Sequence, residues 1–244
     1  MAERPGEPVP ARVVERTVLS DHLVRLVLEP RQEWTSTGVL DEWVALRLPD
    51  QFQTRYYTVR AARGGRIVVD VVVHAEGLVT RWAQTDCVGQ DVGVSAPKGS
   101  YAAPEDAGWL VLVGDLTALP AIARVVEETT DLPGRPRVLL EVPAGTRQSY
   151  PDLDEARADV TWLEPPGPDE SALAEVVAGI DWPEGPGYFW MAGESAQMRE
   201  IRRHLRRDVG FGTDRFDVMG YWSQGRARQT RRVDPRPAHE RSPE

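Results

Sequence analysis

Near Pro104 the rhythm of the sequence changes, and that change constrains the fold more than any other feature. Ahead of it lie six β-rich segments: Arg12–Leu19, Leu23–Leu28, Trp43–Leu48, Tyr56–Ala61, Arg66–His74 and Asp91–Ala96. In the fifth, Ile67, Val69, Val71 and Val73 alternate with Val68, Asp70, Val72 and His74. That period of two puts alternate side chains on opposite faces of a strand. Gly64-Gly65 marks a hairpin turn just before it. One short helix is expected over Val79–Gln84. Six strands with almost no helix imply a six-stranded antiparallel β-barrel over residues 12–104.

Beyond Pro104 strands and helices alternate. Trp109–Gly114 is a nearly unbroken apolar run, and Thr117–Glu128 follows with Leu119, Ile122, Val125 and Val126 on one side of a helix. Pro120 falls in its first turn, where proline is tolerated. Strands at Arg137–Val142 and Val160–Leu163, a helix at Ser171–Val177, a strand at Tyr188–Ala192, a helix from Ser195 and a last strand at Phe216–Gly220 complete the pattern. Alternation of this kind implies a doubly wound parallel sheet over residues 105–225, with the boundary near 103–107. The ends, 1–11 and 226–244, are expected to be disordered. The stretch from Ser223 to Glu244 holds six Arg and three Pro without apolar periodicity.

The formal net charge of −9 argues against nucleic acid as the main partner. The apolar runs are too short to span a bilayer, so no membrane insertion is expected. Met1–Ala11 carries two acids, three prolines and no apolar core, unlike a signal peptide. A single cysteine, Cys87, excludes an internal disulfide and a cysteine-ligated iron–sulfur cluster, which points to the cytoplasm. With four histidines and no carboxylate–histidine cluster, a metal site is not expected.

Arg55-Tyr56-Tyr57-Thr58-Val59-Arg60 places aromatic rings and a hydroxyl between two guanidiniums. A flavin needs a ring to stack on, a small polar group near its redox edge and cations for its pyrophosphate. A barrel strand with cross-strand aromatic and arginine pairs has the same composition. His74 and Gly77, then Thr80-Arg81-Trp82-Ala83, surround the start of a short helix, whose free N–H groups suit an anion. A satisfied strand-end histidine is the plainer alternative.

These motifs resemble the siderophore-interacting proteins, a branch of the ferredoxin-reductase-like flavoenzymes. The resemblance rests on the RxYTxR-like block at Arg55–Arg60, Ala96-Pro97-Lys98-Gly99, Gly114-Asp115-Leu116-Thr117-Ala118-Leu119-Pro120-Ala121-Ile122, Trp190–Glu194 and Gly220-Tyr221-Trp222, in that order. It covers about Arg12 to Arg226 and implies FAD on the barrel and NADPH, or NADH, on the sheet. Tyr57 is then expected to stack on the isoalloxazine with Tyr56 beside it, Thr58 to bond near N5, and Arg55 to meet the pyrophosphate. His74, Gly77, Thr80, Trp82 and Ala83 are expected to hold the diphosphate and adenosine part. Thr117 is expected to cap its helix and, with Asp115, to face the nicotinamide edge. Tyr221 and Trp222 line the flavin or the substrate, or else belong to the core. Leu116, Ala144 and Ser223 stand where the family carries other residues.

Thr146-Arg147 follows the second strand of the sheet, where a forked guanidinium suits the 2′-phosphate of NADPH. The absence of an acid at Ala144-Gly145 favours that phosphate. Lys98 is the candidate contact for the flavin phosphate or an anionic siderophore, or else a solvated turn lysine. The implied activity is NAD(P)H-dependent reduction of ferric siderophores by a monomer. The alternatives are a flavin- or siderophore-binding protein without efficient catalysis and a flavin reductase for another acceptor.

Overall fold

The computed structural model describes residues 7–49, 51, 53–74, 77–167 and 170–223. Its first half is a closed barrel of six strands: β1 (Val9–Ser20), β2 (Leu23–Pro30), β3 (Trp43–Arg47), β4 (Thr54–Arg63), β5 (Arg66–Val72) and β6 (Asp91–Val94). Their order around the barrel is β1-β2-β5-β4-β3-β6. Ile67, Val69 and Val71 of β5 point inward and are fully buried, as their alternation requires. The β4–β5 hairpin turns on Gly64 and Gly65, both at positive φ, the conformation that a tight right-twisting hairpin needs. Helix α1 (Leu78–Gln84) closes one end, with Val79 and Ala83 in the barrel core.

The first strand begins earlier than expected. Prolines at 8 and 10 read as an irregular end, yet Val9–Ala11 pairs with Val92–Val94 and helps to close the barrel. Pro10 has no N–H to give, but its carbonyl accepts from the Arg31 N–H at 2.8 Å. Of the tail expected to be disordered, residues 226–244 lie outside the described residues.

The second half is a parallel sheet of β7 (Leu110–Asp115), β8 (Arg137–Glu141), β9 (Asp159–Leu163), β10 (Tyr188–Glu194) and β11 (Phe216–Trp222), in the order β11-β10-β7-β8-β9. Helix α2 (Leu119–Glu128) packs on one face, over Leu112, Leu140 and Trp190. Helices α4 (Leu173–Ala178) and α5 (Ser195–His204) cover the other face, over Val111, Val113 and Met191. Two covered faces explain why β7 and β10 are buried along their whole length. A short helix α3 (Thr146–Ser149) and a π-helical turn (Leu205–Val209), neither evident from sequence, complete this half. No described helix is long and apolar enough to cross a membrane.

The two halves are joined by buried polar contacts. Glu42, fully buried, accepts from Arg124 of α2 at 3.0 Å. Asp41, also fully buried, accepts from Ser100 N and Tyr101 N on one oxygen and from the Trp190 indole on the other. Asp70 points outward from β5 and is nonetheless buried, because Tyr150 covers it and donates to it at 2.6 Å. Arg124 also donates to the Val59 carbonyl of β4 at 2.9 Å, so that α2 rests on β4.

Candidate functional site

Along β4 side chains alternate. Val59 enters the barrel core and Tyr57, on the same parity, packs against it. Burial raises the Tyr57 phenol well above its ordinary pKa, with the Arg55 charge opposing. Tyr56 and Thr58 face the other way. Tyr56 is 64% exposed, whereas Thr58 is buried against Tyr221 at the end of β11. The ring with the most open surface is therefore Tyr56 rather than Tyr57. Arg55 is exposed and, among the described residues, bonds to neutral groups, the Thr54 carbonyl at 2.9 Å and Gln53 Oε1 at 3.4 Å. Arg60, the other cation of the block, turns to α2 and pairs with Glu127 at 2.7 Å.

The end of β11 meets the end of β7. Trp222 Nε1 donates to Asp115 Oδ2 at 2.6 Å, and Thr117 gives both its N–H and its hydroxyl to Asp115 Oδ1. Burial raises the Asp115 pKa, and the Thr117 and Trp222 donors offset part of that rise. Thr117 was expected to cap α2. It does not: the cap position is Ala118, and the Thr117 hydroxyl instead donates to the buried Asp115 carboxylate. Leu116 packs into the apolar cluster under α2.

Around α1 the structure brings His74, Gly77 and Thr80 together. Thr80 Oγ1 lies 3.2 Å from both the Val72 carbonyl and His74 Nε2. Trp82 gives its indole N–H to Gln90 at 2.7 Å, and Ala83 is in the barrel core. Gly77 has φ +153, and a Cβ there would come within 2.8 Å of the His74 ring. Backbone at that position must be glycine to approach so closely. Lys98 is exposed and forms an antiparallel bridge with Trp43, which pairs with Thr58, so it stands two strands from that hydroxyl on the same rim.

Arg147 lies after β8, apart from this cluster. Its fork is held by Glu155, Nε to Oε1 at 2.8 Å and Nη2 to Oε2 at 2.7 Å. Thr146 donates to the Pro143 carbonyl and is buried. The acid missing at 144–145 is thus supplied from eight residues beyond Arg147, a partner that only the folding of the loop brings there. Asp41 and Tyr150 were missed for the same reason: their partners are distant in sequence.

Residues 13–101 match the model of the siderophore-interacting FAD-binding domain, and residues 107–225 match that of the siderophore-interacting protein. The chain belongs to the siderophore-interacting protein family. A Mycobacterium tuberculosis protein with no described function is 31% identical over 206 residues, 78% of this chain and 72% of that one. The mycobactin import ATP-binding/permease protein IrtA of the same organism is 30% identical over 238 residues, 91% of this chain. This chain spans only 27% of that importer's length. The ferric vibriobactin reductase ViuB of Vibrio cholerae is 27% identical over 179 residues, 70% of this chain and 65% of ViuB. A siderophore utilization protein from T. fusca superposes with a TM-score of 0.76 at 26% identity, covering 92% of this chain and 98% of that one.

The residues present fit a flavin. The Tyr221 hydroxyl is buried beside Thr58 without a well-formed hydrogen bond among the described residues. The Arg55 guanidinium meets no carboxylate among the described residues, and the Gly77 backbone at φ +153 approaches the His74 ring more closely than a Cβ would allow. Among the described residues no group of three or more His, Cys, Asp and Glu is placed to hold a metal ion.

Proposed function

We propose that this protein is an FAD-dependent oxidoreductase that takes electrons from a nicotinamide dinucleotide and passes them to a ferric siderophore. Iron is the substrate's cargo, not a resident cofactor. The observation that carries this reading is the meeting of Thr58 with Tyr221 where the barrel touches the carboxyl edge of the sheet. Carboxyl edges of parallel strands are where dinucleotides bind, so donor and flavin sites would adjoin there. Bound FAD supplies acceptance of a hydride and delivery of single electrons to Fe(III). The catalytic names of ViuB and the siderophore link of the family support the acceptor.

In this reading Tyr56 offers the stacking face, since it shares the outward parity of Thr58. The Thr58 and Tyr221 hydroxyls orient the redox-active edge by hydrogen bonding. Arg55 and the first amides of α1 face the pyrophosphate, and Gly77 lets that backbone come close. Asp115, Thr117 and Trp222 form a hydrogen-bonded floor on the nicotinamide side, with Thr117 positioning Asp115 and not touching the reacting atoms. Lys98 attracts an anionic siderophore to the rim. Reduction to Fe(II) weakens hard oxygen ligation and releases the metal. We assign the reaction to the cytoplasm, where a lone thiol such as Cys87 stays reduced.

The test is anaerobic mixing of FAD-loaded protein with NADH or NADPH, then with a ferric siderophore and an Fe(II) chelator. The flavin band should bleach with a dinucleotide and return with the siderophore as about two Fe(II) appear per flavin, the ratio set by a two-electron carrier and a one-electron acceptor. Protein that binds FAD but never bleaches would leave a binding protein in place of an enzyme.

A further inference from the structure

We infer that Glu155, by holding Arg147, makes this protein discriminate against a 2′-phosphorylated dinucleotide, so that NADH is used in preference to NADPH. The inference rests on the dinucleotide reading above and adds its specificity. It begins from position. Strand β8 is the neighbour of β7 in a parallel sheet, and the loop after it is where the adenosine ribose of a dinucleotide lies in such sheets. In that loop Gly145, at φ +83, turns the chain into α3, which carries Arg147.

Two arginines stand in the segment between β8 and β9. Arg157 turns away and donates to the Thr129 carbonyl behind α2 at 3.1 Å. Arg135, which precedes β8, is engaged by the Glu155 and Ala158 carbonyls and by Asp159. That leaves Arg147 as the cation of this connection that meets a 2′-phosphate, and its fork is engaged on both teeth by Glu155. The carboxylate is fixed from a second side, because Trp162 Nε1 of β9 donates to Glu155 Oε1 at 3.3 Å. The pair is accessible to a ligand, with Arg147 58% and Glu155 36% exposed.

The consequence follows from charge. A 2′-phosphate reaching Arg147 must break a two-tooth ion pair and leave a carboxylate, held by the indole, beside a second anion. A ribose 2′-hydroxyl faces no such penalty. It can donate to a free lone pair of Glu155 while the ion pair stays whole. The carboxylate that reads the ribose therefore comes from Glu155, although the residues directly after β8 carry none.

Direct binding to the FAD-loaded protein tests this without turnover. Adenosine 5′-monophosphate and adenosine 2′,5′-bisphosphate are titrated calorimetrically against wild type, Glu155→Gln, Arg147→Ala and the double variant, each checked for an unchanged melting curve. Wild type should bind the monophosphate at least as tightly as the bisphosphate. Glu155→Gln should shift the ratio toward the bisphosphate by about ten-fold, the scale of one charge-assisted contact. Adding Arg147→Ala should abolish that gain. A wild-type preference for the bisphosphate, an unmoved ratio in Glu155→Gln, or binding of neither compound would overturn the inference. Fragments that behave as expected while neither NADH nor NADPH bleaches the flavin would uphold the specificity and defeat the oxidoreductase reading instead.

Discussion

At the scale of single residues, the Thr58–Tyr221 contact separates cofactor binding from cofactor chemistry. Thr58 is buried at the seam, while Arg55, the proposed phosphate contact, is exposed further along the same strand. Thr58→Val keeps the volume and branching and removes the hydroxyl. The Tyr221 hydroxyl makes no well-formed hydrogen bond with Thr58 among the described residues, so the fold should lose no more than about 1 kcal/mol. FAD content, read from absorbance after gel filtration, should stay near one per chain. Flavin reduction by the dinucleotide should slow by roughly ten-fold, since one oriented donor is lost. Apoprotein from that variant would show instead that Thr58 anchors the flavin. The neighbouring Tyr56 and Tyr57 were distinguishable only once the parity of β4 was known. Both rings suit stacking by type, and which one faces outward depends on Val59 entering the core.

At the scale of elements, strands with one buried face were legible and their partners were not. The alternation in β5 marked Ile67, Val69 and Val71 as core, and the apolar run before Gly114 marked a strand covered on both sides. By contrast α3 has four residues, too few for a helical period to show, and β1 was shortened because its prolines resemble a loop. Three of the motifs that define the site, around Thr58, Asp115 and Tyr221, converge as the strand–helix order requires. Glu155 and Tyr150 were invisible because they sit in the connection between β8 and β9, whose path no periodicity sets. Tyr150 gives this connection a measurable role. It covers the outward face of β5, donates to Asp70 at 2.6 Å and lies 5.7 Å from the Arg25 guanidinium. Asp70 is also held by the Arg25 fork at 2.7 and 2.8 Å, which does not depend on that hydroxyl. Tyr150→Phe should therefore lower stability by only about 1–2 kcal/mol in urea, one hydrogen bond without loss of the ion pair. A loss well above that would mean that the tyrosine hydroxyl, not the arginine, keeps Asp70 satisfied.

At the scale of the whole molecule, the two halves are held by carboxylates whose titrations oppose one another. Burial alone would raise Glu42, but hydrogen bonds from Ser36, Thr37 and Arg124 outweigh it and hold its pKa below the usual range. Glu127 is likewise lowered, burial being outweighed by Arg60 and Arg63. Groups lowered on folding contribute stability above their unfolded pKa, about 4.3 for glutamate, and lose it as pH falls through the folded value. Asp217 and Asp115 run the other way. Burial raises Asp217, the nearby Asp41 charge adds to this, and Ser100 and Arg202 oppose it. A raised carboxyl holds its proton better in the folded chain, so its contribution is full below the unfolded value, about 3.9 for aspartate, and fades as pH rises through the folded one. Ser100 sharpens the point, because its single hydroxyl proton faces both Asp217 Oδ2 at 2.5 Å and Asp41 Oδ2 at 3.0 Å. One hydroxyl cannot donate to both, so a proton on Asp217 completes the set. Acidification from neutrality should first strengthen the seam as Asp217 takes up a proton, with Asp115 adding the same trend inside the second half, then weaken it below about pH 4 as Glu42 and Glu127 are neutralised. Urea midpoints measured between about pH 3 and 7.5 should accordingly pass through a maximum on the acid side of neutrality. Asp217→Asn should flatten the limb above that maximum and Glu42→Gln the limb below it, each leaving the other limb in place. If both substitutions shift the whole curve without changing its shape, the titrating groups lie elsewhere and the seam is insensitive to pH.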